Sequence, residues 1–244
     1  MPPQSIIRRN PPNAVVYDLS TPDQVTITLP AGSTWTSGLH WHETHTEYLR
    51  LIKGRIRLRL GDTVRIVSAA SEPGYSLPEI QVDKNVWHEW GRAEAGTQAQ
   101  DEEEVVVVER TDPADGDKAI FFWNLNGVIL EAQRAKMPSF IPRWLWEAWT
   151  GFWVPLNLFA IFDALDNFPV FLGIRDTGWQ RGFITRGSWR DSRLIWLEVR
   201  LTHAILSIAS LLNWIVGGRA IRPRFTPAEE YAAWELRDRG SKSQ

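Results

Sequence analysis

Residues 38–61 contain the residue types and the spacing of a metal site. His40 and His42 are two positions apart, and Glu47 follows five residues later. On a β-strand, residues i and i+2 point to the same face, so the two imidazoles would be directed at one point. A carboxylate from the next strand can complete a cation site, and His88 is the candidate for a fourth ligand. The pattern predicts a metal site inside a small β-barrel.

The ligands must be nitrogen and oxygen atoms, because the chain contains no cysteine. Imidazole and carboxylate together suit first-row transition metals. We therefore expect one divalent metal, with Fe(II) as the first choice and Mn, Ni or Zn as alternatives. His45 is one residue out of the inward register of His40 and His42, so we expect it to point outward or to lie in a bend. The competing interpretation is that these histidines only pack or form hydrogen bonds inside a barrel.

Composition narrows the class of protein. The 244 residues have a formal net charge of −2, which gives no electrostatic basis for nucleic-acid binding. The N-terminus has no apolar stretch of signal-peptide length, so we expect a cytoplasmic protein. Most of the 14 tryptophans follow residue 140, which indicates that the two halves of the chain differ in structure.

The segment 14–125 has the pattern of short strands separated by turns. Residues 25–29 and 55–60 alternate between apolar and polar side chains, and residues 105–108 are a continuous apolar run. Several short strands without a long helical pattern between them indicate a sandwich or barrel. We predict a mainly β protein, with a proline-rich extended arm over residues 1–13 and a barrel over residues 14–125.

The segment 126–244 is predicted to be an α-helical, Trp-rich C-terminal region. Helices are expected near residues 142–170, 192–216 and 227–239. The last begins with a capping box, in which Thr226 precedes Pro227 and Glu229. The helix near 192–216 is apolar around most of its circumference. Three interpretations remain open. The helix is part of a buried helical hairpin, it lies in a membrane interface, or it spans a membrane. A span would place the charges of Glu198 and Arg200 in lipid, at a cost in free energy.

The metal-site residues resemble the first motif of the cupin superfamily, G-x5-H-x-H-x3,4-E-x6-G. His40, His42, Glu47 and Gly54 match its second half, whereas Thr34 stands at the place of its leading glycine.

The second cupin motif, G-x5-P-x-G-x2-H-x3-N, is matched at His88 and in the turn before it. Asp83 stands at the place of the proline, Asn85 at that of the following glycine and Arg92 at that of the asparagine. Because asparagine tolerates a positive φ, we expect the turn to survive.

The resemblance covers about residues 15–125 and leaves residues 138–244 unexplained. It implies a jelly-roll barrel of the RmlC-like type, with roughly six to eight strands and a central metal. The implied ligands are His40, His42, Glu47 and His88. Small cupins with such a ligand set resemble tailoring enzymes of secondary metabolism.

Strand alternation also predicts the surroundings of the metal. Counted from Glu47 and from His88, every second residue should point inward and form an apolar, partly aromatic chamber. The predicted pocket residues are Leu49, Leu51, Ile56, Leu58, Val86 and Trp90. Such a chamber suits a small hydrophobic or aromatic organic molecule.

Three functions remain open from the sequence. The first is a dioxygenase or oxidase. The second is a non-redox, metal-dependent isomerase, cyclase or lyase, in which the metal acts as a Lewis acid and Glu47 or a metal-bound hydroxide moves a proton. The third is a non-catalytic ligand-binding protein. The helical region would cover the barrel mouth, form a homodimer or make peripheral contact with a membrane.

Overall fold

A computed structural model describes residues 3–69, 79–94, 103–173 and 189–241 of the protein. These residues form two antiparallel sheets and four helices. The strands are β1 (Ile6–Arg9), β2 (Val15–Asp18), β3 (Gln24–Leu29), β4 (His40–Trp41), β5 (Thr46–Lys53), β6 (Arg55–Leu60), β7 (Thr63–Ser68), β8 (Ile80–Val82), β9 (His88–Arg92), β10 (Val105–Asp112) and β11 (Phe168–Pro169). The helices are α1 (Asp117–Arg134), α2 (Arg143–Ala164), α3 (Trp189–Ile215) and α4 (Ala228–Ser241).

The two sheets build a jelly-roll barrel. One has the strand order β1-β2-β3-β10-β5-β8 and the other β11-β4-β9-β6-β7. Inward side chains of both sheets form the core, as strand alternation requires. Its fully buried members include Val25, Ile27, Leu29, Leu49, Ile56, Leu58, Trp90 and Val107. The predicted fold class, a mainly β cupin-type barrel followed by helices, is confirmed.

The structure shifts two of the predicted boundaries. The predicted N-terminal arm contains strand β1, whose residues Ile6–Arg9 pair with Val15–Asp18 of β2. Helix α1 begins at Asp117, inside the segment 14–125 that was assigned to the barrel. Gly116 has a φ of 83° and turns the chain from the end of β10 into the helix, a conformation that glycine adopts without strain.

The helix predicted near 142–170 also ends earlier than expected. Helix α2 stops at Ala164, and Asp166 then adopts a left-handed φ of 51°. The chain thereby returns to the barrel, where Phe168 and Pro169 pair with Trp41 and His40 of β4.

Alternation along β4 attaches the helical region to the barrel. His40 faces the barrel interior, whereas Trp41 faces outward and stacks on Phe168, with ring centroids 5.5 Å apart. Trp41, Trp87, Phe168 and Leu206 form a second buried cluster between the barrel and the helices. The first half of α3 is also held there, because the Glu198 carboxylate accepts the backbone N–H groups of residues 171 and 172.

Candidate metal centre

The four predicted ligands come from both sheets and meet at one point. His40 in β4 lies opposite His88 in β9, and His42 follows directly after β4. Glu47 reaches the same point from β5 of the other sheet. All four side chains are buried, and one ligand atom of each lies within 4.8 Å of the others. The arrangement matches the three-His, one-carboxylate set that the sequence predicts.

Backbone carbonyls fix the orientation of all three imidazoles. Each Nδ1 lies at hydrogen-bond distance from a carbonyl oxygen, and a carbonyl can only accept. Nδ1 therefore carries the proton, and Nε2 keeps its lone pair for a metal. The Nδ1 atoms of His40, His42 and His88 donate to the carbonyls of Gly38, Asp166 and Val86 over 2.8, 2.5 and 2.9 Å, respectively.

The inward atoms of this cluster fit a cation. The Nε2 atoms of His42 and His88 are buried without a hydrogen-bond partner, although buried polar atoms in proteins are nearly always paired. The Nε2 atom of His88 also lies 2.9 Å from an oxygen of Glu47. Two lone pairs at this distance repel each other unless a positive charge lies close to both, and a divalent metal bound to both atoms supplies it.

Burial and neighbouring charges hold the ligands in the protonation states that metal binding needs. Burial lowers the pKa of His40 well below its usual value and that of His42 to about 4, so both rings are neutral at neutral pH. Burial alone would raise the pKa of Glu47, but the Lys118 ammonium group, His88 and His42 together outweigh it, and the pKa lies well below its usual value.

Lys118 is a site residue that the sequence analysis missed. From the first turn of α1, its buried ammonium group contacts the Glu47 carboxylate and lies 2.8 Å from the Glu109 carboxylate. Glu109 also accepts the indole N–H of Trp90 over 2.6 Å. Burial would lower the pKa of Lys118, but the two carboxylates raise it, so the group stays charged.

Asp166 is a second residue that was missed, and it ties the helical region to the ligand loop. Besides the carbonyl that orients His42, its carboxylate accepts the backbone N–H groups of Glu43, Thr44 and His45. It also lies 2.7 Å from Nδ1 of His45. Burial would raise the pKa of Asp166, but these bonds lower it to about 2.

His45 is not directed at the metal cluster. It lies between the bend at residues 43–44 and β5, and its Nε2 atom is 3.1 Å from the Asp115 carboxylate. The hydrogen bonds to Asp115 and Asp166 raise the pKa of His45 to about 9. His45 also lies within 4.8 Å of Asp115 and Asp117. Because both of its ring nitrogens face carboxylates, His45 forms ion pairs with Asp115 and Asp166 and links the two residues.

A cavity of about 290 Å³ opens onto the ligand cluster. One wall belongs to the barrel and includes Tyr17, Trp35, Thr36, His40, His42 and Glu47. The opposite wall belongs to the helical region and is largely apolar. Its residues are Lys118, Phe121, Phe122, Leu125, Phe162, Leu165 and Asn167.

None of the six predicted pocket residues lines this cavity. Leu49, Leu51, Ile56, Leu58 and Trp90 are buried in the barrel core, and Val86 packs against it. Inward direction alone does not make a wall, since side chains fill the interior of a small barrel. The open space lies at the end of the barrel that α1 and α2 cover. Trp90 packs behind the cavity wall against Trp35, with the two ring centroids 5.0 Å apart.

Two turns, one before His88 and one after the strand of Glu47, agree with the cupin motifs in their backbone conformation. Asn85, at the place of a motif glycine, has a φ of 63°, and its N–H donates to the carbonyl of His42. Gly54 has a φ of 80°, and a Cβ at this position would lie 2.7 Å from the carbonyl oxygen of Glu104. The barrel has the two-sheet jelly-roll fold that the resemblance to cupins implies.

No family model and no curated protein sequence matches the chain. Solved structures match part of the chain. CapF from Staphylococcus aureus, a capsular polysaccharide assembling protein, is 15% identical with a TM-score of 0.32, and the match covers 44% of this chain and 30% of CapF. A cupin 2 domain-containing protein from Halorhodospira halophila is 21% identical with a TM-score of 0.27, over 38% of this chain and 54% of that one.

KdgF from Halomonas sp. is 15% identical with a TM-score of 0.29, and the match covers 44% of this chain and 87% of KdgF. These identities and TM-scores are low, and each match covers less than half of this chain. No activity, substrate or partner follows for this protein from such a likeness.

Proposed function

We propose that the protein is a metal-dependent cupin enzyme that acts on a small hydrophobic or aromatic molecule. The proposed reaction is of the dioxygenase or oxidase type, as a tailoring step of secondary metabolism. The observation that carries the proposal is the buried convergence of His40, His42, Glu47 and His88 at the wall of a cavity. A protein that only bound an apolar ligand would not need this cluster.

The residues of the cavity would orient a substrate between two unlike walls. Phe121, Phe122 and Phe162 offer flat apolar surfaces to an aromatic or aliphatic body. His40, His42 and Glu47 face the same space, so a polar group of the substrate would be turned toward the metal. At about 290 Å³ the cavity is at the lower end of the range for small-molecule sites.

A bound first-row metal would supply Lewis acidity and, as Fe(II), redox chemistry. The protein would supply the rest. Lys118 would neutralise Glu47 and Glu109 in the buried site. The apolar helical wall would limit the access of water, which strengthens electrostatic interactions inside the site.

A second candidate is a non-redox isomerase, cyclase or lyase. It is favoured by the buried set of Glu47, Lys118 and Glu109, three ionisable groups beside the same cavity. Burial raises the pKa of Glu109 above its usual value, which suits a group that gives and takes a proton. In this reaction Glu47 or Glu109 would carry the proton.

Metal content and oxygen consumption distinguish these functions. We expect about one first-row metal per purified chain by elemental analysis, as four converging ligands require. The protein loaded with Fe(II) would then be incubated with a panel of small aromatic compounds in an oxygen electrode, with His42→Ala as the inactive control. Conversion that proceeds without oxygen would favour the isomerase. Tight binding without conversion would favour the ligand-binding protein, and a folded protein that takes up no metal would exclude both enzymes.

A further inference from the structure

Helix α3 carries its polar and apolar residues in an inverted arrangement. The side chains that it buries against the protein follow one stripe and are mostly polar. They are Glu198, Thr202, Leu206, Ala209 and Asn213, each at most 5% exposed. Its last two turns instead expose large apolar side chains, with Trp214 73% and Ile215 61% exposed. A surface helix of a soluble protein has the opposite pattern.

Helix α2 and the loop before it expose a matching set of apolar side chains. Phe140 is 85% exposed, Trp144 69%, Trp149 52% and Phe152 53%. At 100° per residue, Trp144, Trp149 and Phe152 fall on one side of the helix, and the exposed Arg143–Glu147 ion pair falls on the other. The start of α2 is thus amphipathic, with its apolar side unpacked by the described residues.

The exposed set of α2 lies beyond the end of α3, whereas Trp214 lines a separate pocket with Ala160 and Asp163. Asp163 near the end of α2 accepts the hydroxyl of Ser210 in α3, and Asn157 contacts Arg222 beyond α3. The helices are therefore antiparallel, and the first turns of α2 extend past the last residue of α3. We call the exposed surface of α2 and of the loop before it the apolar tip and define it by Phe140, Trp144, Trp149 and Phe152.

Basic residues flank the apolar tip. Arg134 and Lys136 are exposed in the segment that leads into it, and neither makes an ion pair within the described residues. The acidic residues of the same segment, Glu131 and Glu147, are already paired with arginines. The segment that leads into the tip therefore carries two positive charges that are complementary to an anionic surface.

We propose that the apolar tip inserts into the headgroup boundary of an anionic lipid membrane. Tryptophan and phenylalanine suit this boundary, and the basic flank adds attraction to anionic lipids. Residues Arg193–Ile215 are apolar and long enough to cross a membrane. They do not cross one here, since the buried carboxylate of Glu198 holds the first half of α3 on the barrel. The protein lies on the membrane surface.

Vesicle flotation of the full-length protein tests this proposal. The vesicles contain phosphatidylcholine alone or an equimolar mixture of phosphatidylcholine and phosphatidylserine. We expect the protein to float with the mixed vesicles and to bind the neutral ones more weakly. The double variant Trp144→Gln/Trp149→Gln should bind both at least about tenfold more weakly, because the inserted aromatic area is lost. The charge reversal Arg134→Glu/Lys136→Glu should remove the preference for anionic vesicles.

Leu236→Gln is the matched control, because Leu236 is 72% exposed on α4, outside the tip. It should bind like the unaltered protein, and circular dichroism and metal content should be unchanged in every variant. Failure of the unaltered protein to float with either vesicle would overturn the proposal. So would equal binding by the tip variants, and so would a dimer in light scattering that the Trp144→Gln/Trp149→Gln change dissociates without any vesicle binding. Each outcome is independent of the reaction at the metal centre.

Discussion

The barrel and the helical region both build the candidate site, but by different means. The barrel contributes the ligands His40, His42, Glu47 and His88 from strands whose alternation directs them inward. The helical region contributes Lys118, Asp166 and an apolar wall through contacts between residues far apart in sequence. The positions of the barrel residues in the site follow from their local spacing along the strands. The positions of the helical residues follow only from the tertiary packing of the helices on the barrel.

The variant with the largest expected effect tests the ligands that the barrel contributes to the site. Replacing His42 by Ala removes one of the four converging ligands, and we expect metal content to fall from about one per chain to background. Elemental analysis after dialysis measures it. His203→Ala is the control, because His203 is paired with Glu43 outside the cluster. Equal metal content in the two variants would show that His42 is not a ligand.

Lys118→Met tests the helical half, because it leaves Glu47 and Glu109 buried without their cation. We expect the free energy of unfolding of the metal-free protein to fall by about 3–5 kcal/mol. The loss should be smaller with metal bound, since the metal also neutralises Glu47. Urea denaturation with and without metal measures both values.

The control for Lys118 is Lys53→Met, which breaks the exposed ion pair with Glu104. Its effect should be about 0–1 kcal/mol. An equal loss for Lys118→Met in the two metal states would mean that lysine and metal act on different groups.

Leu49→Ala sharpens the distinction between core and cavity wall. Leu49 is fully buried in the barrel and does not line the cavity. We expect a loss of about 2–5 kcal/mol in the free energy of unfolding, with metal content unchanged. Phe162→Leu, on the cavity wall, should cost less and change ligand binding instead. If Leu49→Ala left stability intact but altered ligand binding, Leu49 would be a wall residue after all.

Asp166→Ala tests the link between the two halves and has the smallest expected effect on stability. Loss of the charged hydrogen bonds to the loop 43–45 should lower the free energy of unfolding by about 1.5–3 kcal/mol. Metal affinity should fall by about 10–100-fold, because the carbonyl that orients His42 loses its support. Metal titration measures this fall. Asp163→Ala, which removes the bond to Ser210 at a distance from the ligand loop, should leave metal affinity unchanged.

The ligand cluster could be predicted from sequence because strand geometry converts spacing directly into direction. His40 and His42 share a face, and His45 falls out of that register, between the bend at residues 43–44 and β5. Asn85 adopts the positive φ that its place in the second motif requires. These features each depend on a few neighbouring residues.

The helical contribution could not be read in the same way. Helix α1 was not among the predicted helices, although Asp117 in its first turn and Arg134 in its last favour a helix. Lys118 looks like any surface lysine until α1 is placed over the barrel. Asp166 meets His42 across 124 residues, and no local pattern predicts such a contact.

The hydrogen bond between His42 and the carbonyl of Asp166 also sets an order of events during synthesis. The ribosome must add 124 residues after His42 before this partner exists, which takes on the order of ten seconds. All four metal ligands have been made by then, but the orientation of His42 is not yet fixed. The finished metal-binding geometry therefore appears late in biosynthesis, after α2 has been made and has returned the chain to the barrel.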